Sequence, residues 1–217
     1  MPRLLVYLDP VSPYAWLGAR DLGRIPAAGL ETVVVPVLFA GLLAAHGNIG
    51  PAEVPAKRTY VFRDVMREAT RRGLPFAGPP GHPFNPLLAL RVLTAVDDDA
   101  ARLRLARALL ASCWEDGEAI TDAAVVRRLA DGSGCDGATL IAQAQTAAVK
   151  TRLAATTAQA AADGVFGVPT FRVEGQDALF WGADRIDALL WHLQGHAIDE
   201  AALDAFLARV PAAERRH

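Results

Sequence analysis

The sequence predicts an α/β fold: a sheet assembled from the two ends of the chain, with an all-helical insertion between them. Three observations carry this. The first forty residues read strand–helix–strand. No strand candidate appears between about 40 and 168. The last segment returns to β as a hairpin followed by an amphipathic helix.

Residues 3–8 ("RLLVYL") form a short apolar run that stops at Asp9 and Pro10, as a strand does. "SPYAWLGARDLGRIPAA", residues 12–28, reads as a helix, with Ser12 as N-cap, Pro13 at the first helical position and Gly29 as the stop. "ETVVVPVLF", 31–39, is β-branched and apolar without alternation, the pattern of a strand buried on both faces, so the opening is a βαβ unit with a parallel pair. Residues 40–54 read as a loop punctuated by Gly and Pro. Residues 55–72 read as a helix, and "GLPFAGPPGHPFNP", 73–86, as an extended loop. Helices follow over about 86–96, 100–115, 122–131 and 137–163, the last alanine-rich and ended by Gly164. "PTFRV", 169–173, and "ALFW", 178–181, flank the turn "EGQD". "ADRIDALLWHLQG" is then a helix with Asp184 in its first turn, a short helix covers about 199–209, and the tail "PAAERRH" reads as disordered. Neither β-containing end buries a sheet alone, so the two must meet. The order β-α-β, helices, β-β-α fits a thioredoxin-like fold made of residues 1–40 and 164–217, with 41–163 inserted as a helical domain.

Composition narrows the function. The 217 residues are 52% hydrophobic, with mean hydropathy +0.20, enough for a sizeable core. No apolar run approaches the roughly 18 residues of a membrane span. The start "MPRLLVYLDPVSP" does not read as a signal peptide. Twenty-two basic against 24 acidic residues give no electrostatic case for nucleic acid. The basic stretch "KRTYVFRDVMREATRRG" is interspersed with Asp64 and Glu68 and reads as a solvated helix face. Cys113 and Cys135 make no C-x-x-C and no metal spacing. They read as reduced thiols of a cytoplasmic protein, and the scattered histidines imply no metal.

Two stretches carry chemistry. In "LDPVSPYAW" the first strand-to-helix turn has Ser12 and Ala15 at the two positions where a redox member of the fold places its Cys-x-x-Cys pair. In "GVFGVPTFRV" a Val168-Pro169 step opens a strand, where proline costs one ladder donor. In a thioredoxin-like fold that proline is cis, beside the first helix's N-terminus. The residue before it offers its backbone N–H and C=O to a bound cysteinyl compound, a strand addition in miniature.

With these two stretches, "GNIGP" at 47–51 and "FWGADRIDALL" at 180–190, the chain resembles the 2-hydroxychromene-2-carboxylate isomerases, relatives of kappa-class glutathione transferases and of the disulfide oxidoreductase DsbA. The resemblance spans essentially the whole chain, loosely in the helical middle. It implies glutathione as cofactor, with Ser12 facing the sulfur, Val168 and Pro169 receiving the cysteinyl backbone, and Trp181, Gly182, Ala183 and Asp184 receiving the γ-glutamyl end. It also implies that the loops around Asn48 and Asn85 approach a small aromatic-derived substrate, in a homodimer serving aromatic catabolism. The implied reaction is addition of the bound thiolate to a ring-opened chromene carboxylate, rotation about the former double bond, and elimination to the trans-alkene.

Physical chemistry supports these roles. A free thiol has a pKa of roughly 8.5. A helix N-terminus carries about half a positive charge, and a hydroxyl donor adds a hydrogen bond to the charged form. Serine holds a ligand's thiol there without oxidising it. The helix N-terminus near 183 suits a carboxylate, and Asp184 suits an ammonium.

The sequence also departs from the family's pattern. Characterised isomerases carry a lysine just before the "GN" loop, whereas this chain has "GLLAAH". His46, Lys57 and Arg91 are the candidates to replace it, and Ala183 stands where some members have asparagine. His82 and Asn85, in the proline-rich loop, are the polar groups of a wall over the site. Two other readings remain open: a kappa-like glutathione transferase or peroxidase, and a non-catalytic thioredoxin-fold module that binds a thiol or peptide.

Overall fold

The structure, a computed structural model, describes residues 2–25 and 29–210. The tail expected to be disordered lies outside the described residues.

Four strands form one sheet in the order β2-β1-β3-β4: β1 (Arg3–Leu8), β2 (Glu31–Pro36), β3 (Thr170–Val173) and β4 (Leu179–Trp181). β1 pairs parallel with β2, from Arg3 opposite Glu31 to Leu8 opposite Pro36. It pairs antiparallel with β3, from Leu4 opposite Val173 to Tyr7 opposite Thr170, and β4 closes the hairpin. The two ends of the chain therefore meet along β1. Successive strand residues face opposite sides. Leu4, Val6 and Leu8 enter the larger apolar core, which also holds Trp16, Leu105, Trp114 and Phe171. Leu5 and Tyr7 enter a smaller one with Val37, Leu42, Ala160 and Val165.

α1 (Pro13–Asp21) starts at Ser12, whose side chain caps it, and ends earlier than the sequence predicts, running into a 3-10 turn at Leu22–Arg24. Gly23 has poor helix propensity, and a proline at 26 has no N–H to continue the ladder.

The segment expected to be a loop after β2 contains α2 (Phe39–Ala45). Leu38, at its N-cap, brings no capping side chain. The caps come from far along the chain: the Asp9 carboxylate accepts the Phe39 N–H (2.9 Å), and Thr157 Oγ1 accepts that of Leu38 (3.0 Å).

α3 (Pro55–Arg71), α4 (Leu87–Ala95), α5 (Asp99–Trp114) and α6 (Ala123–Gly132) follow the predicted pattern, with Asp98 and Asp122 capping α5 and α6. The single long helix expected over 137–163 is two: α7 (Gly137–Gln143) and α8 (Ala147–Ala162). Thr146 breaks it. Its hydroxyl accepts the Val149 N–H and starts a new helix, because a local side-chain cap competes with continuation. α9 (Ile186–Leu193) follows a 3-10 turn at Ala183–Arg185, and α10 (Glu200–Leu207) has no buried residue. α5 packs on β2 and α1, while α8 packs on α2 and α4. The inserted helices thus pack on both the sheet and the first helix.

Candidate active site

A cavity of about 860 Å³ opens where the β1–α1 turn, α3, the 73–86 loop and the β4–α9 turn converge. That size suits a small-molecule site. Its apolar wall includes Leu17, Leu38, Phe39, Leu43, Val61, Phe84 and Val168.

Ser12 lines this cavity, buried, at the N-terminus of α1. Its Oγ accepts the Ala15 N–H (3.2 Å) and donates to the Val168 carbonyl (3.3 Å). The Val168–Pro169 bond is cis. Among the described residues, neither the Tyr14 N–H nor the Val168 N–H has a partner. The turn thus offers a hydroxyl, engaged on the Val168 carbonyl, and a free N–H at a helix start, beside the free N–H of Val168. An anionic sulfur and a peptide backbone need donors and acceptors of this kind. These residues fit a cysteinyl thiol such as glutathione's.

α1 lies directly on the cis-proline. A Cβ added at Gly18 would meet Pro169 Cγ at 3.1 Å and Phe171 Cζ at 3.2 Å, so any larger residue needs these neighbours to give by a few tenths of an ångström. Trp181, Gly182, Ala183 and Asp184 line the opposite lip. Gly182, at φ 118°, turns the chain there, and its N–H donates to the Pro169 carbonyl (2.9 Å). Asp184 is exposed and pairs with Arg185 (3.0 Å).

The acidic side of the cavity is larger than the sequence predicts. Asp64 and Glu68, from α3, join Asp184 in lining it, and the Tyr14 hydroxyl donates to Asp64 (2.9 Å). Burial, with Asp64 accepting its hydrogen bond, pushes the Tyr14 hydroxyl well above the usual phenol range.

His82, from the proline-rich loop, lines the cavity. Its Nε2 lies 3.0 Å from the Val11 carbonyl, which makes it the donor, and Nδ1 is buried without a partner. Phe62, Phe84 and Trp114 surround the ring, and burial lowers its pKa, so it stays neutral at pH 7.

The other candidates lie outside the cavity wall. His46 and Asn48 are exposed beyond α2, with His46 Nε2 3.1 Å from the Val165 carbonyl. Asn85 is exposed, and its Oδ1 accepts the Leu87 N–H at the start of α4. Lys57 is exposed on α3, and Arg91 keeps a buried Nε without a partner away from the cavity. These sit apart because α2 and the α4 cap redirect loops that the sequence leaves without a direction.

Two residues missed by sequence reasoning matter. Trp114, at the end of α5, donates to the Pro10 carbonyl (3.0 Å). Asp9 is fully buried, lines the cavity and holds the N–H groups of Val11 and Phe39 (2.9 Å each). The one signal for Asp9 was its place between a strand and a capped Ser-Pro turn. Neither cysteine lines the cavity, and burial pushes the Cys113 thiol up to about 12. Among the described residues no three His, Cys, Asp or Glu side chains gather as metal ligands, and no helix is long and apolar enough to cross a membrane.

The family model of the DSBA-like thioredoxin domain matches residues 3–194. The chain belongs to this family. It is 30% identical to glutathione S-transferase kappa 1 of Rattus norvegicus, over 88% of this chain and 91% of that protein. It is 27% identical to 2-hydroxychromene-2-carboxylate isomerase of Sphingobium xenophagum, over 84% and 93%. Among solved structures, a 2-hydroxychromene-2-carboxylate isomerase superposes with a TM-score of 0.80 at 22% identity, covering 95% of this chain and 99% of that one. The relatives are enzymes, and the group joins glutathione-related isomerases and transferases to DsbA-like oxidoreductases.

Proposed function

We propose that this chain is a glutathione-dependent isomerase of 2-hydroxychromene-2-carboxylate-type substrates. The observation that carries the reading is the Ser12 hydroxyl, 3.3 Å from the carbonyl before cis-Pro169 in a cavity lined by no cysteine. A thiol-activating site without its own thiol calls for a thiol brought by a ligand.

In this reading Ser12 Oγ and the Tyr14 N–H donate to the sulfur and favour its charged form. Val168 pairs with the cysteinyl backbone. Asp64, Glu68 and Asp184 face the γ-glutamyl ammonium, and the turn at Ala183 faces its carboxylate. Bound glutathione supplies a nucleophilic thiolate that lets a substrate alkene change geometry. The apolar wall around Phe39, Leu43 and Phe84 holds an aromatic-derived substrate away from water. The reading extends to a cytoplasmic homodimer in aromatic catabolism, with sedimentation testing the assembly.

A second reading, a kappa-type transferase, is favoured by one observation. Both arginines lining the cavity are already paired, Arg72 with Asp21 and Glu68, and Arg185 with Asp184, which leaves no unpaired arginine there for a substrate carboxylate. Counting free glutathione during turnover of the ring-opened substrate separates the two. An isomerase converts substrate with the thiol count unchanged, whereas a transferase consumes one glutathione per substrate.

A further inference from the structure

Asp9 has no part in the function just proposed, yet it is the most deeply buried charge in the cavity. It follows β1 directly and is 0% exposed. One oxygen accepts the Val11 N–H and the other the Phe39 N–H, and among the described residues no cation pairs with it. The Ser12 N–H donates to its main-chain carbonyl (3.0 Å), so residues 9–12 form one hydrogen-bonded turn.

The titratable and charged groups facing the same cavity give it no counter-charge. They are Tyr14 of α1, Glu53, Tyr60, Asp64, Glu68 and Arg72 of α3 and the turn before it, His82 of the proline-rich loop, and Asp184 and Arg185 of the β4–α9 turn. The arginines are paired elsewhere, and His82 is neutral with its N–H turned to Val11. Burial pushes the carboxylate up to about 7, against the two N–H groups that hold it down. A thiolate held at Ser12 beside an ionised Asp9 puts two poorly solvated anions in one turn, which each resists.

We propose, resting on the glutathione reading above, that Asp9 is the acceptor of the thiol proton when a glutathione-type thiol binds at Ser12. The S–H bond breaks, the electron pair stays on sulfur, and an O–H bond forms on the Asp9 carboxylate. The net charge of the cavity is unchanged by this transfer. When the thiol leaves, the proton returns to sulfur by the reverse step. Asp9 thereby makes thiol activation an internal exchange.

The test counts protons. Glutathione is titrated into the whole protein in weak buffer, with thiolate followed by ultraviolet absorbance and released protons by an indicator dye. Near pH 6 Asp9 is already protonated, so each thiolate formed releases about one proton to solvent. Near pH 8 the proton goes to Asp9, and release falls well below about half a proton per thiolate. In Asp9→Asn, release stays close to one at both pH values after allowance for the ionised fraction of free thiol. The wild-type pH dependence is decisive by itself if that variant fails to fold. A wild-type release near one at pH 8, with thiolate present, overturns the role of Asp9 and leaves the glutathione site standing. Absence of any thiolate signal at either pH overturns both.

Discussion

The carbonyls of residues 9 to 12 are all engaged before any ligand arrives: Asp9 by the Ser12 N–H, Pro10 by Trp114, Val11 by His82, and Ser12 by α1 itself. What remains open is the Tyr14 N–H, and the Ser12 hydroxyl needs only to turn its hydrogen from the Val168 carbonyl to give an anion a second donor. The buried Asp9 carboxylate makes a cost of this arrangement measurable. A carboxylate whose folded pKa lies above its unfolded value contributes stability that is complete below the unfolded pKa and lost as pH rises through the folded one. With Asp9 raised from 3.8 to about 7, that loss runs from about pH 4 to pH 7. His82, whose pKa is lowered, acts in the opposite sense, its contribution being lost as pH falls below its unfolded value. The Asp9 effect amounts to on the order of 2 to 3 kcal/mol between pH 5 and pH 8. Urea midpoints at the two pH values are expected to be lower at pH 8 in the wild type, and the difference to shrink in Asp9→Asn. An unchanged difference in the variant places the pH dependence elsewhere. That Ser12, Val168 and the 181–184 stretch line one cavity agrees with the sequence expectation for their placement, because each is a short run whose neighbours define its local geometry; their roles remain part of the proposal. The weight of Asp9 and Trp114 could not be found from sequence, because it comes from Phe39 and from Pro10, 30 and 104 residues away along the chain.

Among the elements, α1 depends most on a single residue. Gly18 lies mid-helix, where alanine normally gains about 1 kcal/mol in propensity. Here the added methyl presses on Pro169 and on fully buried Phe171, neither of which can swing aside. Overpacking of this kind costs about 1 to 3 kcal/mol. Gly18→Ala is therefore expected to lower the melting temperature despite the better propensity, and to weaken glutathione binding as α1 moves off the cis-proline. A variant as stable as wild type with unchanged binding contradicts this packing. Elements with caps close by in sequence, such as α5 and α6 behind Asp98 and Asp122, fell where the sequence predicts. α2 did not, because its caps are Asp9 and Thr157. The α7–α8 break was missed because Thr146 sits inside a run of strong helix formers and signals only through its hydroxyl.

For the whole molecule, the fold class followed from the order of elements, but the sharing of one core did not. Buried residues of β1, α1, α4, α5 and α6 form one continuous cluster, so sheet and insertion stabilise each other. Trp16 and Trp114, one from each part, are both buried in it. Urea unfolding is expected to show one transition, with tryptophan fluorescence and far-ultraviolet circular dichroism coinciding. Two separated transitions contradict a shared core. The same packing brings α5 and the 73–86 loop to the back of the Ser12 turn, so the insertion builds the site as well as covering it. The most direct measurement is a glutathione titration at neutral pH, following thiolate absorbance in wild type and Ser12→Ala. A saturating thiolate signal in the wild type that is lost in the variant, with folding retained, is the expected result. A signal of equal size in both, or none at millimolar glutathione, contradicts a glutathione-activating site at Ser12.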